Sequence, residues 1–79
     1  MVKWGRTYFS QTEGTMMDHA FVDTGSVYVW PFSANQWRWE FWSKDRPLKL
    51  AAEGTEPTKK RAQACAIAAS VMHSGYRHG

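Results

Sequence analysis

The chain has 79 residues, a mass of 9.1 kDa and a net charge of +3 at pH 7. A chain of this length can bury one hydrophobic core, so residues 1–79 are expected to form a single domain. Hydrophobic residues make up 43% of the sequence and five residues are tryptophan, which excludes a disordered chain. The one cysteine, Cys65, excludes an internal disulfide and a zinc site built from cysteines.

The distribution of charge and hydropathy predicts a cytoplasmic protein with a basic second half. No apolar run approaches the length of a membrane span, and the first residues do not resemble a signal peptide. Residues 1–40 carry three basic and four acidic side chains, whereas residues 41–79 carry seven basic and three acidic ones. An electropositive surface should therefore be built from the C-terminal half.

The first half of the sequence predicts strands. Residues 2–9 favour a strand, although Gly5 interrupts the pattern. Two runs of β-forming residues, 20–22 and 26–30, flank Asp23-Thr24-Gly25, which is typical of a hairpin. Pro31 is expected to limit the second run, because proline lacks the N–H group that a strand ladder needs and suits only an edge or a strand end.

Residues 37–42 give the clearest strand pattern in the chain, because large apolar and charged side chains alternate. The alternation places Trp37, Trp39 and Phe41 on one face, and Arg38, Glu40 and Trp42 on the other. A further short strand is predicted over residues 48–52, with Leu48 and Leu50 facing inward.

The last part of the sequence predicts a helix over residues 58–73, with Thr58 as the N-cap and Gly75 just beyond its end. Its interior is rich in alanine, and Gln63 and Ser70 lie on one polar stripe. Such a helix should be covered on most of its circumference. The expected fold is α+β: an antiparallel sheet of three to five strands with one C-terminal helix packed on one face.

Few residues suggest catalysis or metal binding. Residues 21–26 resemble the active-site loop of aspartic proteases, which would make a dimeric hydrolase a minor alternative to a plain hairpin turn at Asp23. The histidines His19, His73 and His78 do not have the spacing of a helical metal pair. We therefore expect no catalytic residues, no metal and no cofactor.

The start of the predicted helix carries cations, which are unfavourable at that end of a helix. Lys59, Lys60 and Arg61 occupy its first turn, where the positive end of the helix macrodipole disfavours cations. Departures of this kind often mark function, so these residues and Gln63 form a candidate site for an anion or a partner. The alternative is a solvated basic turn, and in either case reversing Lys59 and Lys60 to Glu should raise stability.

Residues 54–69 resemble the last strand-to-helix segment of double-stranded-RNA-binding domains, through Gly54, the Lys59-Lys60 pair and the alanine-rich run that follows. The resemblance implies that Lys59 and Lys60 contact phosphates, while Gln63 occupies the place of a third lysine. In size, element order and aromatic content the chain is also similar to small phage-encoded proteins, including anti-CRISPR and other host-takeover proteins.

One helix can cover only one face of a sheet, so large aromatic residues on the other face are expected to be exposed. The alternative is that the N-terminal segment buries them. The exposed arrangement would give an aromatic and basic interface of Trp30, Arg38, Trp42, Lys44 and Arg46.

Two functions fit these features. The first is a non-enzymatic binding protein, of the type of a phage-encoded inhibitor, that blocks a host or defence protein complex by steric occlusion. The alternative is a divergent nucleic-acid-binding module of the double-stranded-RNA-binding type.

Overall fold

The computed structural model describes residues 2–10, 14–44 and 49–77. These residues form five strands followed by a helix: β1 (Gly5–Ser10), β2 (Thr15–Val22), β3 (Gly25–Ser33), β4 (Gln36–Ser43), β5 (Lys49–Glu56) and α1 (Lys59–Arg77). All strands belong to one antiparallel sheet in which each pairs with its neighbours in sequence, in the order β1-β2-β3-β4-β5. The helix packs on one face of this sheet, against β3, β4 and β5. The predicted α+β fold is confirmed.

The predicted hairpin lies between β2 and β3. Val22 pairs with Gly25, so Asp23 and Thr24 form a two-residue connection and Asp23 is exposed. Gly25 has a φ of 156°, and a Cβ atom at this position would overlap the backbone carbonyl oxygen of Trp42 on β4. Glycine is therefore needed here because of the neighbouring strand as well as the turn.

Pro31 does not end its strand, because β3 continues to Ser33, and of its two expected positions the unpaired edge is the one found. The ladder between β2 and β3 stops where Asp18 pairs with Val29, so β2 offers no partner that Pro31 could lose. On the other side Pro31 is opposite Trp37 of β4. Proline is tolerated at such a locally unpaired edge.

The two predicted faces of β4 are confirmed, whereas β5 differs from the prediction. It extends from Lys49 to Glu56, four residues further than expected, and Leu48 lies outside the described residues. Between the pairs Phe41–Ala52 and Trp42–Leu50 one extra residue, Ala51, is inserted in β5. This bulge places Leu50 on the same side as Trp42, away from the helix, so the inward orientation predicted for Leu50 is wrong.

The core lies between α1 and the sheet. Small helix residues allow a close approach, and large sheet residues fill the remaining volume. The fully buried members of the central cluster are Ala20, Val27, Phe41 and Ala66. On the same face Trp39 packs across Gly54 of β5, where a Cβ atom would lie 2.8 Å from the indole Nε1. Gly54 therefore makes room for a tryptophan side chain.

The predicted helix start is confirmed, because Thr58 Oγ1 accepts a hydrogen bond from the N–H of Arg61 at 3.2 Å. The predicted end is wrong: α1 continues through Gly75 to Arg77. A single glycine lowers helix propensity but does not by itself end a helix.

The polar stripe predicted on α1 is not its exposed side. Ser70 is 4% exposed, and its carbonyl oxygen accepts a hydrogen bond from Thr24 Oγ1 at 3.2 Å. The side away from the sheet carries apolar residues instead, and Val71 and Met72 are 63% and 73% exposed. The expectation that most of the helix circumference is covered is therefore wrong, since the sheet covers one side.

Candidate functional site

The side of the sheet opposite α1, here called the open face, is formed by alternate residues of β2 to β5. Its central row crosses four strands, because His19 pairs with Tyr28, Tyr28 with Glu40, and Glu40 with Glu53. The row thus changes from aromatic to acidic across the sheet. No helix of the described residues covers it, since α1 packs on the other side.

Three rings form an aromatic cluster on the open face. The ring of His19 lies 4.5 Å from that of Phe21, edge to face, and 4.8 Å from that of Tyr28. Phe21 is 78% exposed although it belongs to this cluster. Burial lowers the pKa of His19, so its imidazole is neutral at pH 7. The aromatic cluster of His19, Phe21 and Tyr28 therefore offers an apolar contact surface without a positive charge.

A charged group adjoins the aromatic cluster. Arg38 forms an ion pair with Glu53, and its Nε lies 3.9 Å from Oε2 of Glu40. The other oxygen of Glu40 accepts a hydrogen bond of 2.9 Å from the indole Nε1 of Trp42. One arginine thus faces two carboxylates, Glu40 and Glu53, which are direct cross-strand neighbours. This carboxylate pair makes the charged group of the open face acidic, not basic.

The residues of the predicted aromatic and basic interface differ in exposure and in position. Trp30 is only 2% exposed, so its expected exposure is wrong; it lies in the central strand β3, directly opposite Arg38 of β4. Trp42 is half-buried on the open face. Lys44 is exposed beside the hairpin, where its N–H donates to the carbonyl oxygen of Thr24 at 2.9 Å. Arg46 lies outside the described residues.

Two of the three cations at the start of α1 have carboxylate partners within the chain. Nζ of Lys59 lies 2.5 Å from Oδ2 of Asp18, and Nε of Arg61 lies 3.9 Å from Oε1 of Glu56. Lys60 is exposed, and no carboxylate of the described residues lies within ion-pair distance of it. The basic start is therefore partly neutralised, and Lys60 and the 70% exposed side chain of Arg61 carry its outward charge.

In the described part of the chain, two shallow clefts adjoin the ion pair of Asp18 and Lys59, which lines both of them. One cleft has a volume of about 280 Å³ and includes Trp4 and Gln63 in its wall. The other has a volume of about 210 Å³ and includes Trp37. Of the four residues predicted to bind an anion, Lys59 and Gln63 thus face these clefts, whereas Lys60 and Arg61 are exposed beside them.

Two nucleophilic groups of the described residues, Cys65 and Ser43, are poorly placed for chemistry. Burial raises the pKa of the Cys65 thiol, as does the nearby carboxylate of Glu56, so the thiol is protonated at neutral pH. Ser43 Oγ lies 3.4 Å from Nε2 of His73, but Ser43 is completely buried beneath α1. A substrate could not reach this hydroxyl without separation of the helix from the sheet.

Neither a metal centre nor a membrane-spanning helix is found within the described ranges. In residues 2–10, 14–44 and 49–77, no three His, Cys, Asp or Glu side chains are grouped as metal ligands would be. The helix in the described part of the chain is not apolar enough over a sufficient length to cross a membrane.

The aromatic cluster and the carboxylate pair differ in how far the sequence could reveal them. Phe21 lies between the inward residues Ala20 and Val22, so the period of a strand already places it outward. The carboxylate pair depends on the register between β4 and β5, which the bulge at Ala51 shifts by one residue. No sequence pattern indicates that shift.

Comparisons with known protein families, with curated proteins and with solved structures find no match to this chain.

Proposed function

We propose that this protein is a non-enzymatic binding protein that acts by covering a surface of a protein partner with its open face. The observation that supports this proposal best is the exposure of Phe21, at 78%, within an aromatic cluster on a sheet face that α1 does not cover. Exposed aromatic residues that are held in place by neighbouring rings are typical anchors of protein interfaces. The ring of His19 contacts one side of Phe21, and the ring of Tyr28 in turn packs against His19.

Steric occlusion is the mode of action that we propose, and a host or defence complex is the proposed partner. The similarity in size and layout to phage-encoded inhibitors favours this class of partner. A sheet face of this kind presents broad contact area, and binding would withhold the partner's surface from its own ligand. No chemical step is needed for this effect.

The experiment compares two exposed apolar residues on opposite sides of the protein. Phe21→Ala removes the proposed anchor, and Met72→Ala on the outer side of α1 is the matched control, because Met72 is 73% exposed. Tagged wild-type protein is used to recover a partner from nuclease-treated host lysate, and the purified partner is then titrated with all three proteins. Phe21→Ala should weaken binding by about 2 kcal/mol and weaken inhibition of the partner by the same factor, while Met72→Ala should change neither.

The opposite result would contradict the proposal. If Phe21→Ala binds the partner as tightly as the wild type does, the open face is not the contact surface. Melting temperatures of both variants serve as the control for folding, and both should stay close to that of the wild type because the two side chains are exposed.

A nucleic-acid-binding module is the second candidate, and the outward charge of Lys60 and Arg61 favours it. In that case recovery of partners from lysate would be lost after nuclease treatment. Lys60→Glu would weaken binding to duplex RNA, and binding by the wild type would decrease as salt is raised. Phe21→Ala would leave duplex binding unchanged.

A further inference from the structure

We propose that the open face is built to receive an arginine side chain from its protein partner, which inserts between the aromatic cluster and the carboxylate pair. This inference rests on the proposed function and specifies the chemistry of the partner's surface. It follows from three features: an unbalanced charge, adjoining aromatic rings and the sign of that charge relative to the rest of the molecule.

The charge on this part of the open face is unbalanced. Glu40 and Glu53 are directly opposite on adjacent strands, an arrangement that costs free energy because like charges repel. Arg38 is the cation that contacts them, through an ion pair with Glu53 and a contact of 3.9 Å with Glu40. Among the described residues, one positive charge thus faces two negative charges, and a second cation would lower the remaining repulsion.

The aromatic cluster adjoins the carboxylates along the same row of the sheet. Tyr28 is the direct cross-strand neighbour of Glu40, and its ring lies 4.8 Å from that of His19. A guanidinium group can stack on such rings and can also donate paired hydrogen bonds to a carboxylate, whereas an ammonium group acts as a compact point charge. The combination therefore favours arginine over lysine.

The negative charge of this group favours a partner that carries an arginine over nucleic acid and over a second copy of the chain. The whole chain has a net charge of +3, yet this group holds two carboxylates and one arginine. Nucleic acid would bring phosphates towards the carboxylates, which is unfavourable. A second copy bound through the same face would bring two carboxylate pairs together. A partner surface that carries an arginine among apolar side chains has the complementary charge.

The test uses an oligo-arginine peptide as the probe, with oligo-lysine and oligo-glutamate peptides of equal length and single-stranded DNA as comparisons. Amide chemical shifts of the labelled protein are followed by NMR. Oligo-arginine should shift the amide signals of His19, Tyr28, Glu40 and Glu53, should bind more tightly than oligo-lysine, and should bind more weakly as salt increases. The oligo-glutamate peptide and the DNA should leave these signals unchanged.

Two variants test the carboxylate pair and the aromatic cluster separately. The double variant with Glu40→Gln and Glu53→Gln keeps an acceptor for the Trp42 indole but removes both charges, and it should weaken oligo-arginine binding by about tenfold or more. Phe21→Ala, at an exposed position, should weaken it while the fold is retained. The melting temperature and the dispersion of the amide signals show whether each variant is folded.

Several results would overturn the inference. Equal affinity for oligo-arginine and oligo-lysine would remove the case for a guanidinium, and shifts caused by DNA at His19 or Tyr28 would point to base stacking instead. If oligo-arginine does not bind but Phe21→Ala still weakens binding of the purified partner, this inference is wrong and the proposed function stands. If Phe21→Ala binds that partner normally, the proposed function is wrong, whatever the peptide does.

Discussion

Nζ of Lys59 lies 2.5 Å from Oδ2 of Asp18, which joins the first residue of α1 to β2. Asp18 is 8% exposed, and the same ammonium group lies 5.8 Å from the centre of the Trp37 ring. A cation at a helix start normally costs free energy because the macrodipole is positive there. For Lys59 the carboxylate of another element offsets that cost.

Reversing the charge of Lys59 and of Lys60 should therefore have opposite effects on stability. Lys59→Glu places a carboxylate beside Asp18 and should lower the free energy of unfolding by about 1 kcal/mol. Lys60→Glu improves the match to the macrodipole and should raise it by about 0.3–1 kcal/mol. Denaturant unfolding at low salt measures both, and both effects should shrink as salt is added.

This prediction differs from the expectation from the sequence that both reversals stabilise the protein, because Lys59 forms an ion pair with Asp18. A gain of stability in Lys59→Glu comparable to that in Lys60→Glu would show that the ion pair with Asp18 has no energetic role.

Gly54→Ala should destabilise the protein through Trp39. The added Cβ atom would lie 2.8 Å from Nε1 and 2.9 Å from Cε2 of the indole, so the ring must move out of its packing on the core. Overpacking of this kind costs about 1–3 kcal/mol. In a Trp39→Leu background the same change should cost little, and thermal unfolding of the four proteins measures the difference. Additive losses would exclude the contact as the cause.

Gly25→Ala should cost more than Gly14→Ala, although both glycines have positive φ values. Gly14 has a φ of 68°, and a Cβ atom added there would have no neighbouring atom within 4 Å, so alanine should cost about 1 kcal/mol of backbone strain. At Gly25 the Cβ atom also overlaps the carbonyl oxygen of Trp42, which should raise the loss to about 3 kcal/mol or more. Equal melting temperatures for the two variants would contradict the close approach of β3 and β4.

The stability of the protein should fall as His19 becomes protonated. Burial lowers the pKa of His19, so the unfolded chain, whose histidine pKa is about 6.5, binds this proton more readily than the folded state does. The contribution of neutral His19 is therefore complete above about pH 6.5 and is lost as the pH falls towards the lowered pKa. His19→Gln should show a smaller loss of melting temperature between about pH 8 and pH 5.5 than the wild type. Parallel pH profiles would exclude His19 as the cause.

Local patterns in the sequence predicted much of the fold. The turn at Asp23 and Thr24, the two faces of β4 and the cap at Thr58 each depend on a few adjacent residues, and all three are found. The errors concern relationships between distant residues. Pro31 is tolerated because β2 is already unpaired beside it, and Trp30 is buried within the central strand β3.

The candidate site was predicted less well for the same reason. Aromatic and basic residues are close in the sequence around Arg38, so an aromatic and basic interface was expected. The register of β5 instead brings Glu53 to Arg38, so that two carboxylates, Glu40 and Glu53, surround this arginine. At the helix start, Asp18 pairs with Lys59 from 41 positions away along the chain. Pairings of this kind depend on the tertiary structure and have no signature in a local pattern.

The bulge at Ala51 also affects how the protein behaves at high concentration. β5 is an outer strand of the sheet, and an outer strand exposes backbone groups that can recruit a strand from another molecule. The extra residue interrupts the regular spacing of those groups, and the charged side chains of Lys49, Glu53 and Glu56 are distributed along the same strand. A strand from another molecule therefore cannot form a regular series of backbone hydrogen bonds along β5. The bulge that turns Leu50 away from the core thus also opposes edge-to-edge aggregation.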